Sequence, residues 1–271
     1  MPRGVDALDE AWLQGRLWTP QLIRPSLLFW ADAADLSTIS IATGVSEWRD
    51  KSPFSRHVSQ ASTALQPTYS PSGFNGRPGI VFDGTRYLFR TSAFCFAAGS
   101  ISVFTAMRPS ASPPATLNFA IAEGLLSQNN PIYGVLNNNA VSPFTTLGFY
   151  NRQNLGATIN NGLFTNALVN QSRIIGMIDS GSAATGFVDG VSGSAVPYTR
   201  VATDVDRFAI GGLLRGGFAL PLPCTFNQIV IAAGVVSLDV RFKLEGYLAW
   251  TSGVVLDASH PFANRPPLIG D

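Results

Sequence analysis

Carboxylates come first among residues that could do chemistry, because cleaving a glycosidic bond takes two of them flanking one cleft, about 5–10 Å apart. The sequence holds four glutamates, Glu10, Glu47, Glu123 and Glu245, dispersed along the chain. A strand would present an acid pair on one face through an alternating run such as Glu-x-Asp-x-Glu, and no such run is present. A polysaccharide depolymerase is therefore the least favoured reading, and the expectation is a chain that is not an enzyme. A Ser-His-Asp triad would have to recruit His57, in a polar loop, or His260, ahead of a proline. No Gly-x-Ser-x-Gly elbow supplies the nucleophile. With two histidines and two cysteines there is no ligand spacing for zinc. Asp83 and Asp189 each precede a glycine after a β-like run. The expected role of each is to stabilise its own turn; the alternative is a calcium site shared with backbone carbonyls. Catalytic residues, cofactors and other metals are expected to be none. Cys95 and Cys224, far apart in sequence, are expected to be buried free thiols.

The elements that would position these residues are β-strands. Short runs rich in Val, Ile, Phe and Thr alternate with Gly, Pro, Asn and Ser clusters from Leu27 onward. The pattern predicts strands over 27–30, 79–82, 87–90, 101–107, 117–122, 132–136, 147–150, 157–160, 173–178, 184–188, 207–211 and 227–233. Asp83-Gly84 and Asp189-Gly190 suit the positive φ angles of tight turns. One segment has helical spacing instead, with apolar residues at 240, 244, 247 and 248, Ser237 as N-cap, and Asp239 near the positive end of the dipole. Trp30, Trp48 and Trp250 are expected in the core. The Asn-rich stretches 128–130 and 137–139 are expected to form turns, with glycan contacts as the alternative.

Residues 1–25 differ in texture. Trp12, Leu13, Leu17 and Trp18 are interleaved with charges, and Pro20 and Pro25 bracket an extended stretch. These four apolar residues are the candidates for docking onto a neighbouring subunit. The expected organisation is an arm over 1–25, a sandwich over 26–257 and a Pro-rich tail over 258–271.

Composition narrows the partners. The chain has 18 basic and 17 acidic residues, and 13% of its residues are charged, about half the usual share of roughly 25%. Such a surface fits coverage by neighbours, as in a homo-oligomer, or a Ser/Thr/Asn-rich solvated surface. No basic run points to nucleic acid, no apolar run approaches the roughly 20 residues of a membrane-spanning helix, and residues 1–6 show no secretory leader. Synthesis in a cytoplasm, without a membrane or nucleic-acid partner, is the expectation.

The order of several short motifs resembles the laminin-G-like, concanavalin-A-like jelly-roll domains of phage and bacterial surface proteins. The opening is Leu28-Phe29-Trp30-Ala31-Asp32, followed by Val45-Ser46-Glu47-Trp48-Arg49-Asp50. Gly76-Arg77-Pro78-Gly79-Ile80-Val81-Phe82-Asp83-Gly84 matches a strand and turn; Gly186-Phe187-Val188-Asp189-Gly190 and Phe208-Ala209-Ile210-Gly211-Gly212 follow. Leu244-Glu245-Gly246-Tyr247-Leu248-Ala249-Trp250 and His260-Pro261-Phe262 close the set, which spans roughly residues 27 to 267. Relatives often carry an acid where this chain has Gln228, so a polar site is not carried over from there.

The resemblance implies an all-β, two-sheet antiparallel jelly-roll sandwich with one short C-terminal helix and an extended N-terminal arm. The leading functional expectation is a structural protein of a bacteriophage virion, a capsid decoration, head fibre or tail component, held to other virion proteins by its arm. The alternative is a carbohydrate-binding module that meets a host glycan. Fold alone does not decide between them.

Overall fold

The computed structural model describes residues 16–110, 117–138, 146–154, 159–165 and 169–271. Its strands, in chain order, begin with β1 (Leu27–Asp32), β2 (Ile39–Ile41), β3 (Val45–Trp48), β4 (Val58–Ser59), β5 (Thr68–Phe74), β6 (Arg77–Phe82) and β7 (Leu88–Arg90). Next come β8 (Ile101–Pro109), β9 (Asn118–Gly124), β10 (Ile132–Asn138), β11 (Thr146–Arg152), β12 (Ile159–Thr165), β13 (Arg173–Asp179) and β14 (Ala183–Val188). The series ends with β15 (Val191–Ser192), β16 (Val196–Pro197), β17 (Arg207–Ile210), β18 (Leu213–Leu214), β19 (Phe218–Ala219) and β20 (Cys224–Ala233), before helix α1 (Leu238–Ser252).

Among the described residues, eighteen of these strands form two nine-stranded sheets, and β18 pairs with β19 as a separate two-stranded one. The first runs β15-β14-β13-β8-β20-β6-β5, with β1 beside β20 and β16 beside β14; the second runs β12-β11-β10-β9-β17-β7-β4-β3-β2. Neighbours pair antiparallel, as in the long ladder of β8 against β20. The chain is thus the expected jelly-roll sandwich.

Strands of the first sheet carry apolar side chains on both faces, and the period of two explains where each goes. From β20, Ile229 and Ile231 enter the core between the sheets, whereas Val230 points to the outer face. From β13, Ile175 and Met177 face inward while Ile174 faces outward. The outer face is covered by α1 through Leu244, Tyr247, Leu248 and Trp250. The helix starts where expected: the Ser237 hydroxyl accepts the Val240 N–H at 3.3 Å. It ends at Gly253, whose φ of 74° closes the last turn in the left-handed region. Gln228, on β20, accepts from the Trp30 indole and donates to Thr251 at 2.9 Å, tying strand to helix.

The tail then clamps the helix. Trp250 donates its indole N–H to Phe262 O at 2.9 Å, and a Cβ on Gly246 would lie 2.7 Å from the Phe262 side chain. Glycine is required there by that close approach. Trp30, Trp48 and Trp250 are buried, as are both cysteines, which are free thiols. No helix among the described residues is long and apolar enough to cross a membrane.

The arm corrects one expectation. Leu17 and Trp18 are 4% and 5% exposed and belong to the cluster beneath α1. Leu17 bridges to Leu268, and Trp18 N–H donates to Pro267 O at 3.0 Å. A side chain sealed into its own chain cannot also be buried against a neighbour, so these two residues are not docking residues. Trp12 and Leu13 lie outside the described residues. Asn137 also departs from its expected turn: it is buried within β10.

Candidate functional site

Strand β13 opens with Arg173, and β14 runs antiparallel to it into the turn Asp189-Gly190. This pairing folds Asp189 back over Arg173. Asp189 Oδ2 takes the Arg173 guanidinium at 2.5 Å, and Oδ1 takes the Ile174 backbone N–H at 2.8 Å. Arg173 also donates to the Gln171 side chain. The turn uses the left-handed region: Asp189 has φ 50° and Gly190 φ 89°, conformations that Asp tolerates and Gly prefers. A Cβ at position 190 would also lie 2.7 Å from the His260 ring.

The chain after α1 crosses this turn. Asp257 N–H donates to Asp189 O at 2.9 Å, and together they wall a cleft of about 300 Å³ lined by Arg173, Val188, Asp189, Val191, Leu256 and Asp257. Val255, 70% exposed, completes the rim. The two carboxylates differ in environment. Burial pushes Asp189 above the usual carboxylate range, with the Arg173 hydrogen bond opposing it. Asp257 is open to solvent, and hydrogen bonds from the Ser259 side chain and backbone hold its carboxyl below that range. Both Ser259 bonds end on Oδ1 of this solvent-exposed side chain, so Oδ2 is not engaged by them. The cleft therefore offers an ordered guanidinium, an ionised acceptor and exposed valine methyl groups.

The remaining sequence candidates fall elsewhere. Asp83 serves its own turn: Oδ1 accepts from Thr85 N–H at 2.9 Å, Thr85 Oγ1 at 2.8 Å and Arg86 N–H at 3.1 Å. Asp189 instead reaches across to the adjoining strand. Nothing brings Asp83 and Asp189 together, and the described residues include no group of three or more His, Cys, Asp or Glu side chains placed to hold a metal ion. Glu123 and Glu245, weighed above as acids, are buried structural hubs. Glu123 accepts the backbone N–H groups of Phe94, Cys95 and Phe96. Glu245 pairs with Arg241 at 3.2 Å and meets His260 at 3.2 Å. Sequence reasoning singled out Asp189 but missed Arg173 and Asp257. An arginine opening a strand that pairs with an Asp-Gly turn was the available signal for the first; Asp257 sits in irregular chain and gave none.

No family model matches the sequence, and no curated protein matches it. Solved structures do share the fold. A Trypanosoma rangeli sialidase in complex with sialic acid aligns at TM-score 0.56 and 13% identity, over 84% of this chain and 33% of the sialidase. A structure of botulinum neurotoxin type C, whose cell entry is described as dependent upon interaction with two ganglioside molecules, aligns at TM-score 0.57 and 10% identity, over 83% of this chain and 52% of the toxin chain. The chain thus spans a third to a half of the proteins it is similar to, and identities this low show the fold alone. They also correct the expectation that the chain is not an enzyme: among the structures that share its sandwich are sialidases.

Proposed function

We propose that this domain binds carbohydrate, with the cleft between the Asp189-Gly190 turn and residues 255–257 as the binding surface. One observation carries the reading: a fixed guanidinium–carboxylate pair, an ionised acceptor on Asp257 and exposed valines converge on one concave surface. A sugar ring presents C–H faces to apolar groups and hydroxyls to acceptors and donors, the mixture that small-molecule sites provide. A volume near 300 Å³ is at the low end for such sites and suits one or two rings. The likeness to sialidase and ganglioside-dependent toxin structures supports the same reading at the level of fold. Attachment to a phage particle rested on residues of which Leu17 and Trp18 are buried in their own chain, so the glycan reading is preferred.

The test is a glycan-array screen of the wild-type protein beside Asp257→Asn. Binding to a defined set of glycans, weakened at least tenfold by the substitution, is expected. Silence of the wild type across the array would sink the proposal.

A further inference from the structure

The charges that line the cleft are not equally open to a ligand, and that inequality selects among sugars. Arg173 supplies the positive charge, yet its guanidinium is turned to the protein. Nη1 donates to Asp189 Oδ2 at 2.5 Å, Nη2 donates to the Gln171 side chain, and Nε is sealed from solvent. An entering carboxylate would gain a two-bond fork there by displacing Asp189. Glu245, buried behind the turn, adds its negative charge to the surroundings of Asp189 and is itself paired with Arg241 at 3.2 Å. The buried charges on this wall are therefore matched in pairs.

Asp257 is not matched. Its carboxylate is open to solvent, and the Ser259 hydroxyl and N–H bond to Oδ1, which favours the ionised form without neutralising it. Among the described residues, the one titratable group whose charge bears on Asp257 is His260, and that ring is turned to Glu245 at 3.2 Å. Arg173 is the one basic residue that lines the cleft. The unbalanced charge that a ligand meets is thus a single carboxylate. Val191 and Val255, 43% and 70% exposed, line the same cleft and give it an apolar side.

We infer that the cleft selects amino sugars, with the protonated 2-amino group paired to Asp257 and the C–H face of the ring on Val191 and Val255. The inference rests on the carbohydrate-binding reading and names the class of sugar. An ammonium brings opposite charge and three donors to a carboxylate that can only accept. An acidic sugar meets like charge at Asp257 and an arginine already taken by Asp189. An exposed ion pair of this kind is worth roughly two- to fivefold in affinity, so its signature is a preference among sugars of one shape.

Three β-1,4-linked disaccharides that differ at C2 alone are the probes: the glucosamine dimer, its N-acetylated counterpart and cellobiose. Calorimetry in mildly acidic, low-salt buffer should show the glucosamine dimer binding roughly two- to fivefold tighter than the other two. The preference should fade in high salt, which screens an exposed pair, and as pH rises through the amine's own titration. Asp257→Asn should erase it, and Asp257→Glu, which keeps the charge, should retain it. A preference that survives Asp257→Asn would overturn the pairing. Neutral disaccharides that bind the wild type as tightly as the glucosamine dimer would overturn the amino-sugar assignment and leave the carbohydrate reading standing. No binding of the glucosamine dimer would do the same wherever the array shows binding of other glycans. Equal binding of 2-aminoethanol, an amine without the ring, would overturn the sugar part of the assignment.

Discussion

The phenol of Tyr133 donates to the Asp179 carboxylate at 2.6 Å, joining β10 of one sheet to β13 of the other across an apolar core. Asp179 also accepts from Tyr198 at 2.6 Å, Arg200 at 3.0 Å and Gly181 N–H at 2.7 Å. Its side chain is fully buried, and Arg200 reaches on to Phe96 O at 2.7 Å. A polar cluster in such a place holds the two sheets in one relative position, because each donor is met only in that arrangement.

Removing the acceptor should therefore hurt more than removing one donor. Asp179→Ala strands the Arg200 charge and two phenols, and should cost about 3–5 kcal/mol. Tyr133→Phe removes one of four donors and should cost about 0.5–1.5 kcal/mol. Urea unfolding followed by fluorescence measures both; equal losses would show that the cluster is not organised around Asp179.

Trp18 lies beneath α1 with its backbone bonded to Pro267. Trp18→Ala should cost about 3–5 kcal/mol, the usual range for emptying a large buried aromatic site. The expected signature is a lower urea midpoint at every protein concentration. A midpoint that matches the wild type would mean that residue 18 is not packed as described.

The two carboxylates of the cleft should titrate on opposite sides of 3.8, the ordinary aspartate value. Burial favours the neutral form of Asp189, so it takes up its proton above that value as pH falls, while Asp257 keeps its charge below it. Raised in the folded state, Asp189 by itself makes stability decline as pH rises from 3.8 to its folded value, and adds no further change above that. Carboxyl ¹³C shifts of the two residues resolve the order directly. The reverse order would contradict the environments assigned to them.

Chelation should leave glycan binding unaltered. Both oxygens of Asp189 are engaged by Arg173 and Ile174, and Asp83 is bound to its own turn. Calcium could enter either place only by displacing those bonds. Arrays run with calcium and with a chelator should agree; dependence on calcium would require a site built from other residues.

Glu123→Gln tests the hub that the sequence offered only as a scattered acid. The amide would place an NH₂ group against backbone donors of residues 94–96 where a carboxylate now accepts three of them. A cost of about 1–3 kcal/mol is expected from the unmet donors, read as a lower thermal midpoint.

The parts of this fold that were legible from sequence are those in which local chemistry and tertiary packing agree. Strands β8, β13, β14 and β20 were marked by apolar runs, and α1 by its spacing and its Ser237 cap. Strands β2, β3, β4 and β5 went unseen. Residues 68–74, Thr-Tyr-Ser-Pro-Ser-Gly-Phe, carry a proline, a glycine and serines, yet they form an edge strand beside β6 with an irregular register, the place where proline is tolerated in a sheet. Leu17 and Trp18 misled because apolar residues with charges around them look the same whether they face a neighbour or their own helix. Asp189 was visible through its glycine, but its partner Arg173 lies 16 residues away and is brought near only by strand pairing.

The contact of Leu17 with Leu268 has a mechanical consequence. Arg16 O is bonded to Ile269 N–H at 2.7 Å and Trp18 N–H to Pro267 O at 3.0 Å, so the two segments run in opposite senses with residues 16 and 269 at the same end. Tension applied between residues 16 and 269 acts on these bonds one after another, as in opening a zip, instead of shearing them together. The next resistance along that path is Trp18, packed in the cluster beneath the helix.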